Sequence, residues 1–359
     1  MPNFNILKET TPIKTFRTES IKGQFDLNID KIKENFIGNI EIENIDWNIG
    51  LIYGASGTGK STIAKELFNE YYIREYQYDN NSVIDNMPKD KKTEEITKIF
   101  NSVGFATAWS WLKPYNVLSN GEQMRVNLAR AILENKDLIV FDEFTSVVNR
   151  EVAKSGSFAV QKAIRKMNKK FIAVACHNDI IEYLEPDWTF CTDNMQFNIT
   201  RGLLRRPEIK LSIYKTDKSY WRIFRKYHYL DTNLHNAAQC FVAFIKNEPI
   251  AFFAVIHFPH PKSKLFKRGH RLVVLPDYQG LGIGHKLSSF IAQYYHNKGY
   301  RFIIQSSTKS LLDQRLKDKC WVVKDFNRKI KESGKIMNRT SSQNKYTYSY
   351  EYVGNNNAD

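Results

Sequence analysis

Residues 50–62 read Gly50-Leu-Ile-Tyr-Gly54-Ala-Ser-Gly-Thr-Gly-Lys60-Ser61-Thr62. A short apolar run enters a loop with three glycines, and a lysine, a hydroxyl and a helix-forming stretch to Tyr71 follow. The pattern GxxxxGK[ST] between a strand and a helix is a phosphate cradle. Glycines let backbone N–H groups turn inward around phosphate oxygens, and the helix N-terminus adds partial positive charge. Gly54, Ala55, Ser56, Gly57, Thr58, Gly59, Lys60, Ser61 and Thr62 are therefore the expected ATP-binding residues. Lys60 would reach the outer phosphates, and Ser61 would ligate Mg²⁺.

Working outward, Leu138-Ile-Val-Phe-Asp142-Glu143 places two carboxylates after four apolar residues. A buried strand there would deliver Asp142 to the Mg²⁺ and Glu143 beside an attacking water. Helices are expected over Glu94–Phe100, Gln123–Asn135 and Val152–Asn168, and a strand over Phe171–Ala175. Alternating strands and helices imply a parallel α/β sheet. Phe25–Ile29 and Asn39–Ile45 alternate as half-exposed strands do, and residues 1–14 read as poorly ordered.

Leu118-Ser119-Asn120-Gly121-Glu122-Gln123 resembles the LSGGQ signature of ABC ATPases, with Asn120 at its first glycine and Glu122 at its glutamine. The resemblance covers roughly residues 15–200. It implies a P-loop NTPase domain of ABC type, an ATP-sandwich homodimer, and a Ser119 loop facing the nucleotide of the partner subunit. It also implies that Glu143 and His177, which follows the strand Phe171–Ala175, are catalytic. The sequence departs from that family in places. Asn149 ends the Thr145–Asn149 stretch where Asp is usual. No clear Q-loop glutamine stands at the usual spacing, since Gln77 comes only 17 residues after Lys60 and Asp85 is a poor alternative. The short stretch between Lys60 and Ser119 implies a reduced helical arm and a role other than transport.

The texture changes after Arg201–Pro207. Gln279-Gly-Leu-Gly-Ile-Gly284 follows the apolar run Arg271–Pro276 and precedes a helical stretch, His285–Asn297. It fits Q/R-x-x-G-x-G/A, and with the strands Cys240–Ile245, Ile250–His257 and Arg301–Gln305 it resembles the GNAT acyltransferases over about residues 208–353. A helix at Ser310–Lys317 and a last strand at Tyr346–Tyr352 would complete that fold. The resemblance implies acetyl-CoA or another acyl-CoA held by Leu275, Gln279, Gly280, Leu281, Gly282, Ile283 and Gly284. A dinucleotide fold does not fit, because no βαβ unit or spaced acidic residue accompanies the loop. The family's usual Glu base and Tyr acid are missing, which leaves His270 and Tyr229 as acyl-transfer candidates beside His257 and Tyr227.

The expected architecture is α/β: an ABC ATPase domain over 1–205, a GNAT-like domain over 206–353, and a disordered tail at 354–359. Charge divides at the same place. Residues 1–205 hold 26 basic and 27 acidic residues, whereas 206–359 hold 27 and 11. The net charge of +15 therefore lies wholly in the second part, which points to DNA or RNA. Basic runs at Lys262–Arg271 and Arg328–Arg339, with Trp221, Tyr227, Tyr229, Tyr278 and Trp321 interleaved, suit phosphate neutralisation and base stacking. Other readings are an ATP-gated protein or small-molecule acetyltransferase, and a degenerate GNAT fold that only recruits a partner. Four scattered cysteines, no signal-peptide pattern and no long apolar run imply a soluble, cytoplasmic protein without a membrane partner.

Overall fold

The computed structural model describes residues 3–27, 31–73, 76–134, 136–205, 207–228, 233–259, 265–306, 315–325 and 348–354. The chain forms two compact units. The first gathers residues 1–76, 135–149 and 161–206; the second gathers 77–134, 150–160 and 207–359. The units thus interleave along the chain, and residues 77–134 and 150–160 cluster with the C-terminal part.

In the first unit the strands are β1 (Asn3–Thr10), β2 (Ile32–Asn39), β3 (Ile49–Tyr53), β4 (Leu138–Phe141), β5 (Lys170–Ala175), β6 (Trp188–Cys191) and β7 (Gln196–Ile199). Its helices are α1 (Phe16–Gln24), α2 (Lys60–Phe68) and α7 (Ile181–Leu184), with the C-terminal part of α6 (Arg150–Met167). Five strands form one sheet in the order β4-β5-β3-β6-β7, all parallel except β7. Ile52, Ile63, Val140, Ile172, Val174, Trp188 and Phe190 share its core. Gly50 allows this packing, because a Cβ there would stand 2.1 Å from the Trp188 ring. The buried Asp187 carboxylate accepts from the amides of Asn48 and Ile49 and from Arg165, which fixes where β3 starts.

The N-terminus departs from expectation. Residues 3–10 are a strand, paired antiparallel with β2 from Asn3↔Asn39 to Thr10↔Ile32. The strand expected at Asn39–Ile45 lies one element earlier, at Ile32–Asn39. Phe25 and Asp26 form a turn that closes α1, and residues 28–30 lie outside the described residues. The apolar alternation used for those readings is weak here, since Phe36 alone is buried within β2.

The second unit holds α3 (Thr93–Ser102), α4 (Ala108–Trp111), α5 (Asn120–Leu133), the start of α6, α8 (Trp221–Phe224) and α9 (Ile283–His296). Its strands are β8 (Ser212–Thr216), β9 (Gln239–Ile245), β10 (Glu248–His257), β11 (Phe266–Val274), β12 (Arg301–Ser306), β13 (Trp321–Asp325) and β14 (Tyr348–Tyr352). They form a seven-stranded sheet in the order β13-β14-β12-β11-β10-β9-β8, in which β11 and β12 alone run parallel. Side chains alternate across β10. Phe253 and Val255 meet α9 through Ile283, Leu287 and Ile291, whereas Phe252 and Ala254 meet Trp221 and Phe224. Both faces of this interior strand are therefore covered, which explains its continuous apolar run.

Candidate functional site

In the first unit the sheet assembles the expected residues. β3, β5 and β4 are parallel neighbours, with Tyr53 opposite Ala175 and Phe141 opposite Ala173. The Gly54 loop, the Asp142–Glu143 pair and His177 therefore all leave the carboxyl edge of one sheet, where α/β folds place ligands. The loop turns through Gly57 (φ 84°) and Gly59 (φ 83°), the latter opening α2. Gly59 is required twice over: its φ is left-handed, and a Cβ would stand 2.4 Å from the Phe36 ring. Lys60 is buried and donates to the Ala55 carbonyl at 2.5 Å, folding back across the loop.

Two groups that the sequence reading missed brace this loop. Asp193 accepts from the Ala55 amide at 2.8 Å, and Thr192 shares a 2.6 Å hydrogen bond with Thr58. A third, Tyr72, joins the two expected Mg²⁺ ligands. Its hydroxyl donates to the Asp142 carboxylate and lies close enough to the Ser61 side chain to feel it. Burial and then the Asp142 contact push this phenol's pKa up, so the hydroxyl stays protonated. Tyr72 is placed by a parallel bridge to Val140, with Val140 N–H donating to the Tyr71 carbonyl and Ile73 N–H to that of Val140. Ser61 and Asp142 thus lie within reach of one hydroxyl, and their all-oxygen character fits Mg²⁺.

Glu143 is exposed and left-handed at φ 51°, with its amide on the Asp142 carboxylate at 2.8 Å. The Phe144 amide donates to the Val174 carbonyl at 2.8 Å, which ties this turn to β5. His177 is exposed two residues beyond β5.

In the second unit Ser119 caps α5 in a capping box. Its hydroxyl accepts from the Glu122 amide, while Glu122 Oε2 accepts from the Ser119 amide at 3.1 Å and from its hydroxyl at 3.0 Å. Ser110 donates to Glu122 Oε1 at 2.7 Å. Ser119 and Asn120 are exposed and Leu118 is buried. Gly121 permits close packing, since a Cβ would stand 3.1 Å from Val152 of α6. Gln123 donates to the Tyr115 carbonyl, and Gln77 is tethered to the same helix through its carbonyl and Arg130.

Gln279–Gly284 joins β11 to α9 as expected. Gly282 (φ 81°) opens the helix, and Gly280 (φ 86°) turns the loop. Gln279 is engaged at both ends of its amide: its Oε1 accepts from the Ala106 amide at 2.9 Å, and its Nε2 donates to Thr107 and to the Val274 carbonyl. The Leu275 amide donates to the Ile250 carbonyl, and Leu281 and Gly284 are half-buried. His270 Nε2 accepts from the His235 amide at 3.3 Å. Burial, then the Arg271 and Arg268 charges, push its pKa down to about 4. Tyr229, the runs at 262–264 and 328–339, and the tail at 355–359 lie outside the described residues, as does most of the expected helix at 310–317. Trp221 and Trp321 are core residues rather than stacking platforms. Among the described residues no helix is long and apolar enough to cross a membrane.

Two family models match the chain: "ABC transporter" over residues 67–146 and "Acetyltransferase (GNAT) family" over residues 206–313. Its N-terminal part carries an ABC-type ATPase domain and its C-terminal part a GNAT-like domain. Among curated proteins it is similar to Lactococcin-G-processing and transport ATP-binding protein LagD of Lactococcus lactis, at 24% identity over 202 residues. That match takes in 43% of this chain and 28% of LagD. It is also similar to an uncharacterized ABC transporter ATP-binding protein of Haemophilus influenzae, at 30% identity over 121 residues, 26% of this chain and 50% of that protein. The chain thus spans half or less of these relatives. Solved structures similar to it include the dimeric ABC transporter cassette MJ0796 (16% identity, TM-score 0.38, 47% of this chain and 93% of that one). Another is a Bacillus subtilis acetyltransferase in complex with CoA (13% identity, TM-score 0.31, 40% of this chain and 98% of that one).

Proposed function

We propose that the chain binds and hydrolyses ATP as a head-to-tail dimer and uses that cycle to govern acyl transfer from acyl-CoA to a nucleic acid. The ATPase reading rests on the convergence of Lys60, Ser61, Asp142, Glu143 and His177 at one sheet edge. Lys60 would exchange the Ala55 carbonyl for phosphate oxygens. Ser61 and Asp142 would hold Mg²⁺, which would neutralise phosphate charge. Glu143 would hold the attacking water, and His177 would contact the outer phosphate. The exposed Ser119 cap would complete the site against the nucleotide of the partner subunit.

For the second domain, His270 favours an acceptor that is already neutral. A base held at about 4 takes no proton from a lysine ammonium, whose pKa is about 10.4. An exocyclic amine of a nucleobase requires no such deprotonation. Lys286, Lys317 and Lys319 line a cavity of about 920 Å³ beside α9, on the strongly basic half of the chain.

Glu143→Gln with ATP and Mg²⁺ tests the first half of the proposal. Light scattering is expected to show a trapped dimer, and a monomer would count against the sandwich. Affinity for DNA and RNA oligonucleotides across a salt series tests the second half. A steep fall with salt is expected, and no binding at low salt would remove the nucleic-acid acceptor.

A further inference from the structure

The proposed acyl-CoA loop lies in one compact unit with the Ser119 segment and is hydrogen-bonded to the helices that flank that segment. The Asp277 carbonyl, at the base of the loop, accepts from Arg125 Nη2 at 3.3 Å and from the Ser155 hydroxyl. A carbonyl has two lone pairs, and both are used here. Arg125 lies on α5, the helix that Ser119 caps, and Ser155 lies on α6, which begins directly after Asn149. The contact is tight on the glycine side too. A Cβ on Gly280 would meet Ala159 Cβ at 2.9 Å, and one on Gly104 would meet the Gln279 carbonyl at 2.9 Å.

Charge follows the same route. Arg125 is 1% exposed, and its Nε and Nη1 find no hydrogen-bond acceptor among the described residues. The charges acting on it are those of Asp277, in the loop, and Glu122, in the signature. Glu122 is the carboxylate that holds the Ser119 amide and hydroxyl, and it stands where the ABC signature has a neutral glutamine. A phosphate that took those two donors would leave Glu122 with less compensation, and Glu122 and the buried Arg125 attract each other.

We propose that ATP engagement at Ser119 is relayed through Glu122 and Arg125 to the Asp277 carbonyl and so sets the affinity of the Pro276–Gly282 loop for acyl-CoA. Arg125 and Ser155 are then positioning residues for that loop. The relay rests on the ATP-sandwich and acyl-CoA readings above. By linkage it must be reciprocal, with acyl-CoA altering ATP affinity by the same factor.

The test titrates full-length protein carrying Glu143→Gln, so that ATP persists, with acetyl-CoA in the absence and presence of saturating ATP·Mg²⁺. The expected result is a change in acetyl-CoA Kd of about 5-fold or more, matched in the reverse titration. Glu122→Gln keeps the cap geometry and removes the charge, and Ser155→Ala removes one bond to the carbonyl. Each is expected to bring the ratio towards 1, with melting curves confirming a folded chain. Two ligands that both bind with a ratio of 1 in the parent protein would overturn the relay and leave the two sites standing. A ratio unchanged by both substitutions would overturn this route. Acetyl-CoA that binds under neither condition would overturn the acyl-CoA reading, and the relay with it.

Discussion

Two glycine loops in this chain share one local design and meet different surroundings. Gly54–Ser61 and Gln279–Gly284 each leave a strand, turn through left-handed glycines and open a helix. The opening glycines are nearly superposable, Gly59 at φ 83°, ψ 8° and Gly282 at φ 81°, ψ 8°. The first loop leaves Ala55, Ser56 and Gly57 exposed and keeps a lysine folded over itself in reserve. The second spends its glutamine on Ala106, Thr107 and Val274 and its Asp277 carbonyl on Arg125 and Ser155. A helix start preceded by glycines supplies an anion-binding geometry. The tertiary neighbours decide whether it stands open or is held by another element.

The largest effect that would separate the loops is at Lys60. Lys60→Ala removes a preorganised cation from the first, and ATP hydrolysis is expected to fall on the order of 100–1,000-fold. Acetyl-CoA affinity measured without ATP should not change. A comparable loss in both would mean that the loops are not separate sites.

Alanine at the glycines sharpens the comparison through stability. Gly59→Ala meets left-handed strain and the Phe36 ring together, and should cost about 2–4 kcal/mol in urea unfolding. Gly280→Ala meets strain plus Ala159 and should fall somewhat below that. Gly282→Ala has the same φ as Gly59 with nothing within 4 Å of the added carbon, so about 1 kcal/mol is expected. Equal costs at Gly59 and Gly282 would show that surroundings do not distinguish the loops.

Much of this was legible beforehand for a physical reason. Strands such as Leu138–Phe141 and the Ile250–Ile256 part of β10 are buried on both faces, so they appear as continuous apolar runs. The phosphate loop needs glycine at fixed spacing, and such needs are local. What escaped the sequence depends on contacts between distant residues. β1 exists because residues 32–39 pair with it, although Phe4 is its only buried side chain. Tyr72 matters because a bridge to Val140 brings it to Asp142, 70 residues away. Trp221 and Trp321 resembled base-stacking residues by composition alone, and the fold places both in cores.

Tyr72→Phe tests the side of the comparison that depends on metal. The hydroxyl donates to Asp142, and under the Mg²⁺ role proposed for Asp142 and Ser61 the loss of such a supporting hydrogen bond weakens metal binding about 10-fold or more. ATPase activity titrated with Mg²⁺ should therefore shift its midpoint upward by about that factor. A downward shift would instead show that the phenol competes with the metal for those oxygens.

The smallest effect belongs to the second loop's strand. His270 in β11 has its pKa pushed from the ordinary histidine range down to about 4, so it is neutral in the fold when unfolded chains would already protonate it. Between roughly pH 6.5 and pH 4 the unfolded state binds the additional proton, so this group's contribution to stability falls as pH falls through that window. His270→Asn should flatten the acid limb of a stability–pH curve for the full chain. The change should be modest, because the ring is only half-buried and solvent screens its charge. An acid limb that steepens in the variant would mean that His270 is protonated in the fold, and would return it to contention as a group that takes up a proton during acyl transfer.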